Sequence, residues 1–257
     1  MTGARHSYPE LAGRVVIVTG AAGGLGRAVA DGFAAQGAHL VLCDLDAGTL
    51  GLAGDGQAAP PDRVLAVAAD LRDPAACEAL VDAAASHFGR IDVLVNNAAV
   101  LHRMPIEQVT PKVFDEVVAV NLRAPFFLAR AALRHMRPAG WGRIINVASV
   151  AARTGGASDV FPYAASKGGL VALTKSLAKL AASDGVLVNA ILPAGIDTPM
   201  ITEGFPAEAI EAIVRQIPLG RLSPPSEMAG IVLWLASDAA GYVTRASFDV
   251  NGGWVMT

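Results

Sequence analysis

Short runs of β-branched and leucine residues recur along the chain, separated by longer segments rich in alanine and leucine. Runs at residues 15–19, 39–43, 63–68 and 91–95 predict four strands, and those at 142–148, 187–192 and 247–250 predict three more. Most are apolar at consecutive positions, as expected of parallel strands covered on both faces. The intervening segments 25–36, 74–87, 111–136, 163–183 and 224–236 carry helical periodicity, and Gly-rich 47–62 gives a weak helical signal. Thr110 before Pro111, and Ser223 before Pro224, each place a capping side chain ahead of a proline at the first helical position. Pro125 lies inside the third helical segment and predicts a bend there, because proline supplies no N–H. Alternation of this kind implies right-handed crossovers and one doubly wound α/β sheet of seven strands with helices on both faces.

The bulk properties narrow the picture. The 257 residues suit one α/β domain, spanning 1–257, with residues 1–10 as an N-terminal arm. Hydrophobic residues make up 53% and charged residues 17%, which excludes a disordered chain. The net charge is −3 with no basic stripe, so nucleic acid is not an expected partner. Cys43 and Cys77 are neither a disulfide framework nor a metal-binding pair, and no histidine pair has ligand spacing; a reducing compartment and no metal are expected. The segment M-T-G-A-R-H-S-Y-P-E has no apolar signal-peptide region, and no apolar run reaches the ~18 residues of a membrane span. A cytoplasmic location and no membrane partner are therefore expected.

The candidate chemistry begins at the first strand, which runs into V-I-V-T-G-A-A-G-G-L-G. Gly20, Gly24 and Gly26, with Leu25 between the last two, follow a strand and open a helix. Gly20 permits a tight turn, and Gly24 and Gly26 let backbone approach a pyrophosphate at the positive end of the helix. A ligand-free strand–helix turn is the bland alternative. Asp44 ends the second strand 24 residues after Gly20. An acidic side chain there accepts ribose hydroxyls and repels a 2′-phosphate, and no Arg or Lys stands at 21–23 to bind one. That favours NAD(H) over NADP(H). A lone Tyr163/Lys167 pair in F-P-Y-A-A-S-K-G-G decides little, although residues i and i+4 share a helix face.

The T-G-x-x-x-G-x-G spacing, Asp44, Asn96-Asn97-Ala98-Ala99, Ser149 and Y-x-x-x-K arrive in one order from about Leu11 to Gly253. In this the chain resembles the classical short-chain dehydrogenase/reductase family, whose fold is Rossmann-type. The resemblance implies a catalytic set of Asn121, Ser149, Tyr163 and Lys167. Tyr163 is the expected acid/base and Ser149 orients the substrate oxygen. Asn121 supports a proton relay, and Lys167 holds ribose and lowers the tyrosine pKa by its charge. It also implies cofactor contacts at Asp70 and Leu71, at Asn97, Ala98 and Ala99, and at Pro193, Ile196 and Thr198. The family pattern departs at Ala194, Arg245 and Asn251, where glycine, glycine and aspartate are usual. Ala194 implies φ < 0 or strain at that position.

Substrate walls are expected from residues 100–104, 150–161 and 196–221, the last an amphipathic lid after Gly204. Arg103 or Arg153 offers to bind an anionic group, against the plainer reading of each as a surface arginine; His102 offers a second acid/base. The reading is a NAD(H)-dependent oxidoreductase interconverting a secondary alcohol (sugar, polyol or hydroxy acid) and a ketone. The resemblance adds a homotetramer paired through segments 111–136 and 163–183. Two alternatives stay open: an NADPH-dependent reductase of the 3-oxoacyl-carrier-protein type, and a non-catalytic nucleotide-sensing module on the same fold.

Overall fold

The computed structural model describes residues 7–46, 48, 50, 60–157 and 159–255. The Gly-rich helical segment at 47–62 and the first part of the N-terminal arm fall mostly outside them.

Seven parallel strands form one sheet in the order β3-β2-β1-β4-β5-β6-β7. They are β1 (Val15–Thr19), β2 (His39–Asp44), β3 (Val64–Ala68), β4 (Val93–Asn96), β5 (Gly142–Val147), β6 (Val186–Pro193) and β7 (Ser247–Val250). The order reverses direction between β1 and β4, which opens a crevice at their carboxyl ends. The helices are α1 (Gly24–Ala35), α2 (Pro74–Phe88), α3 (Pro111–Val118), α4 (Ala124–Ala139), α5 (Ala151–Thr154), α6 (Phe161–Ala181), α7 (Pro199–Thr202), α8 (Ala207–Gln216) and α9 (Pro225–Ala236).

Alternate strand residues sort into two cores, as a period of two demands. Val16, Val18, Leu40 and Leu42 pack with Val29 and Phe33 of α1 and Val232 of α9. Val15, Ile17, Val41 and Cys43 face the opposite way, onto Leu80 of α2, Leu128 of α4 and Ala178 of α6. Phe33 is fully buried, worth about 2–3 kcal/mol relative to exposure. Both cysteines are free and buried. No helix among the described residues is long and apolar enough to cross a membrane.

Local signals resolve in three ways. Thr110 caps α3 as expected, its hydroxyl accepting from the Val113 N–H. Ser223 does not cap α9: that helix starts one residue later, at Pro225, and Ser223 turns its hydroxyl to the Pro224 carbonyl and Glu227. Two successive prolines move the start: Pro224 precedes a proline, which disfavours helical backbone, and it is extended at ψ 145°. The bend expected at Pro125 is met by a π-helical turn at Ala119–Arg123, directly before the α4 residues that carry the proline.

Candidate active site

A cleft of about 440 Å³ opens at the carboxyl ends of the central strands. Its floor is the turn after β1. Gly20 has φ +64°, and a Cβ there would sit 2.9 Å from the Cα of Ala98. The two loops are clamped together: the Thr19 hydroxyl accepts from the N–H groups of Asn97 and Ala98, while the Asn97 amide donates to the carbonyls of Thr19 and Gly20. Backbone is thereby presented to the cleft over a stretch where side chains would block it.

Gly20, Gly24, Leu25 and Asp44 line the cleft, as do Asn97, Ala98 and Ala99. Pro193, Ile196 and Thr198 join them from the end of β6. Gly26 does not; a Cβ there would collide with the Gly20 carbonyl oxygen. Gly26 therefore also serves close strand–helix packing. Asp70 and Leu71 are likewise not among the lining residues. The Asp70 carboxylate is gripped by Arg72, which holds its pKa below the ordinary value, and Leu71 is buried in the core.

Asp44 ties the end of β2 to the glycine turn. Its carboxylate accepts from the N–H groups of Ala22, at 3.0 Å, and Leu45, at 2.8 Å. A carboxylate has about four acceptor positions, so two remain for hydroxyl donors.

Ser149, Tyr163 and Lys167 face the cleft together. Ser149 follows β5 and accepts from the Ala151 N–H. Tyr163 and Lys167 lie one turn apart on α6, the Lys167 Nζ being 5.5 Å from the centre of the Tyr163 ring. Lys167 is 2% exposed and donates to the Val147 carbonyl at 2.6 Å. Burial pulls its pKa down to about 7. Burial pushes the Tyr163 phenol up, and its hydrogen bond with Ser149 pulls it back. The sequence expectation of a phenol lowered by Lys167 therefore meets a counterforce: desolvation disfavours both charges, and near neutrality the lysine carries only part of its own.

Asn121 sits in the π-turn, fully buried. Its side chain accepts from the Val100 N–H and donates to the Val100 carbonyl and Ser166. Ser166 in turn donates to the Tyr163 carbonyl at 2.7 Å. Asn121 thus does not line the cleft but joins its helix, the loop after β4 and the turn of α6 that carries Tyr163. Asn96 bridges β4 to β5, its side-chain amide donating to Asn146 at 2.8 Å.

The loop cations are committed. Arg103 pairs with Asp159 at 2.6 Å and stacks 4.1 Å over the Phe205 ring. Arg153 pairs with Asp249 at 3.3 Å, and His102 meets Glu116 at 3.1 Å. Each arginine has a carboxylate brought to it by the fold, and neither is among the described residues that line the cleft. Leu101, Val150, Met200, Phe205 and Trp254 line the cleft. Trp254 escaped sequence reasoning; only the turn held by Asn251, whose side chain binds Gly253 N–H and the Val255 carbonyl, swings it back.

Residues 20–255 match a family model described as enoyl-(acyl carrier protein) reductase. The chain belongs to the short-chain dehydrogenase/reductase family. As a member it is an oxidoreductase of CH–OH groups and uses a nicotinamide cofactor. It is 38% identical to cis-4-hydroxycyclohexanecarboxylate dehydrogenase of Sinomonas cyclohexanicum, covering 94% of this chain and 96% of that one. It is 37% identical to a 3-oxoacyl-acyl-carrier-protein reductase of Vibrio cholerae, covering 96% and 99%. A short-chain type dehydrogenase/reductase from Mycobacterium marinum superposes with a TM-score of 0.90 at 29% identity, over 96% of this chain and 97% of that one.

Two departures from the family pattern have a local account in this dehydrogenase/reductase. Ala194 keeps an ordinary backbone, since Arg245 is the one positive-φ residue other than glycine among those described. Arg245 adopts φ 65° and donates its N–H to the Val188 carbonyl, so the turn retains the shape a glycine would take. Its side chain is exposed and does not line the cleft.

Proposed function

We propose that this protein interconverts a secondary alcohol and its ketone with NAD(H), using Tyr163 as the acid/base. The convergence of Ser149, Tyr163 and Lys167 on a cleft floored by glycine backbone carries the reading. The cradle fits a dinucleotide: Gly20 admits no side chain, and Asp44 keeps acceptor capacity at the end of β2. A bound nicotinamide dinucleotide supplies the hydride acceptor for oxidation and the donor for reduction.

Tyr163 takes the carbinol proton in oxidation and returns it in reduction. Ser149 hydrogen-bonds the substrate oxygen and holds it toward the phenol. Lys167, when charged, favours the phenolate and donates to ribose hydroxyls. Asn121 holds the turn of α6 that carries Tyr163 through Ser166. Asp44 selects NAD(H) because a 2′-phosphate would meet a carboxylate with no cation at 21–23. Residues 196–221 form the lid over the cleft, within one domain spanning 1–257. Glycine backbone at Gly20 and Gly24, Asn97-Ala98-Ala99, and Pro193, Ile196 and Thr198 line the cofactor's path. A homotetramer is part of the proposal, supported by Phe126 and Leu180 standing 41% and 56% exposed on α4 and α6. Two free buried cysteines accord with the cytoplasm.

The test is Tyr163→Phe. Turnover is expected to fall by at least ~10³-fold while NADH still binds. Substantial residual turnover refutes the role. The match to carrier-protein reductases favours a second reading, in which NADPH reduces a 3-oxoacyl group; tighter binding of NADPH than NADH would decide for it.

A further inference from the structure

The three loops that wall the cleft contribute five cationic side chains among the described residues: His102, Arg103, Arg153, Arg215 and Arg221. Each has an acidic partner. Arg103 meets Asp159 at 2.6 Å, Arg153 meets Asp249 at 3.3 Å and His102 meets Glu116 at 3.1 Å. On the lid, Arg215 pairs with Glu211 at 3.5 Å and Arg221 with Glu227 at 2.8 Å. Among the described residues, the charged side chains that line the cleft are Asp44, at the glycine turn, and Lys167, bound to the Val147 carbonyl.

The walls beyond Ser149 and Tyr163 are hydrocarbon. Leu101 comes from the loop after β4, Val150 and Val160 from the loop after β5, and Met200 and Phe205 from the lid. Trp254 closes the set, and its indole N–H is already spent on Gln216 at 3.2 Å. Thr198 and Asn97, the other polar side chains, lie against the glycine turn: a Cβ on Gly24 would come within 3.2 Å of Thr198, and Asn97 donates to Gly20.

We infer that the substrate is a small, uncharged alcohol or ketone whose body is hydrocarbon and whose carbinol or carbonyl oxygen is the polar group that side chains recognise. This rests on the reading of the cleft as the alcohol/ketone site, and it narrows that reading. A carboxylate entering the cleft loses water and finds none of these loop cations among the described lining side chains. The extra hydroxyls of a sugar or polyol lose water and, among the described residues, find no free side-chain partner in the hydrocarbon walls. A hydrocarbon ring or chain gains the burial of its whole surface against Leu101, Phe205 and Trp254. The arginines expected to read an anion instead brace the walls: Arg103 fixes Phe205 by stacking while Asp159 neutralises it.

The experiment measures kcat/KM for a matched ketone series with NADH and separately with NADPH. The series is 4-methylcyclohexanone, methyl 4-oxocyclohexanecarboxylate, 4-oxocyclohexanecarboxylate and the ketose erythrulose. Ligand binding to the protein loaded with NAD is followed in parallel by calorimetry. The two neutral ketones are expected to exceed the free acid and the ketose by about 100-fold or more, mainly through KM. An acid or ketose within tenfold of the neutral ketones, or ahead of them, overturns the inference and leaves the oxidoreductase reading standing. Failure to turn over any compound with either cofactor counts against the oxidoreductase reading. The calorimetry then judges the inference separately: tighter binding of neutral ketones supports it, and tighter binding of the acid or ketose overturns it.

Discussion

Replacing Lys167 with methionine removes a buried ammonium while keeping most of its hydrocarbon volume. Lys167 is 2% exposed, and burial holds its pKa at about 7 against an ordinary 10.5. Since the folded value is the lower one, the unfolded chain binds more protons between about pH 7 and 10.5. Stability contributed by this residue therefore rises with pH through that window, and is lost as pH falls toward 7. At about 1.36 kcal/mol per pH unit the gap amounts to an upper limit of about 5 kcal/mol. The lost hydrogen bond to Val147 offsets part of the gain from removing the charge, most at the acid end where it is charge-assisted. The stability difference between wild type and Lys167→Met is thus expected to shift by about 3–5 kcal/mol between pH 6 and pH 10, with methionine favoured most at the acid end. Urea unfolding of both proteins without added cofactor, followed by circular dichroism at one-unit pH intervals, gives this difference directly. Parallel stability curves would show that Lys167 titrates like an exposed lysine and would refute the argument. The same variant is expected to lose turnover, because it cannot hold a phenolate.

Asp44→Ala is expected to cost NADH at least tenfold in Kd and to narrow its advantage over NADPH; an unchanged cofactor ratio in a fluorescence titration contradicts the role given to the carboxylate. Arg245→Gly relieves a left-handed backbone at an exposed turn and is expected to stabilise the fold by about 1 kcal/mol in denaturant unfolding, with kcat/KM unchanged. Asn121→Leu strands both the N–H and the carbonyl of Val100 and is expected to destabilise by about 3 kcal/mol, read by urea midpoint, and to lower kcat through the misplaced turn of α6.

Much of the scaffold was legible because it is written in local patterns. All seven strands fall within two residues of their expected bounds, since runs apolar on both faces have little alternative to a covered parallel sheet. The Thr110 cap was readable for the same reason: the hydroxyl and its N–H partner are three residues apart. Ser223 misled because two prolines compete for the same helix start, and the first is held extended by the second. The packing duty of Gly26 was not legible, because a glycine needed for packing and a glycine needed for a ligand look identical in sequence. Its neighbour in space, the Gly20 carbonyl, gives the reason.

By itself the sequence determined the order of strands and helices, the glycine turn with Asp44 beyond it, and the spacing that puts Tyr163 and Lys167 on one helix face. These depend on backbone preference and on periods of two and 3.6 residues, which any chain carries locally. Tertiary structure decided the rest. It buried Lys167 and so moved its pKa, and it swung Trp254 back from the chain's end to the cleft. It brought Asp159 to Arg103 across 56 residues and Asp249 to Arg153 across 96. Charge pairing and desolvation depend on distances that no local pattern encodes. The polarity of the substrate pocket is set by those distances, and it emerges only when the chain has folded.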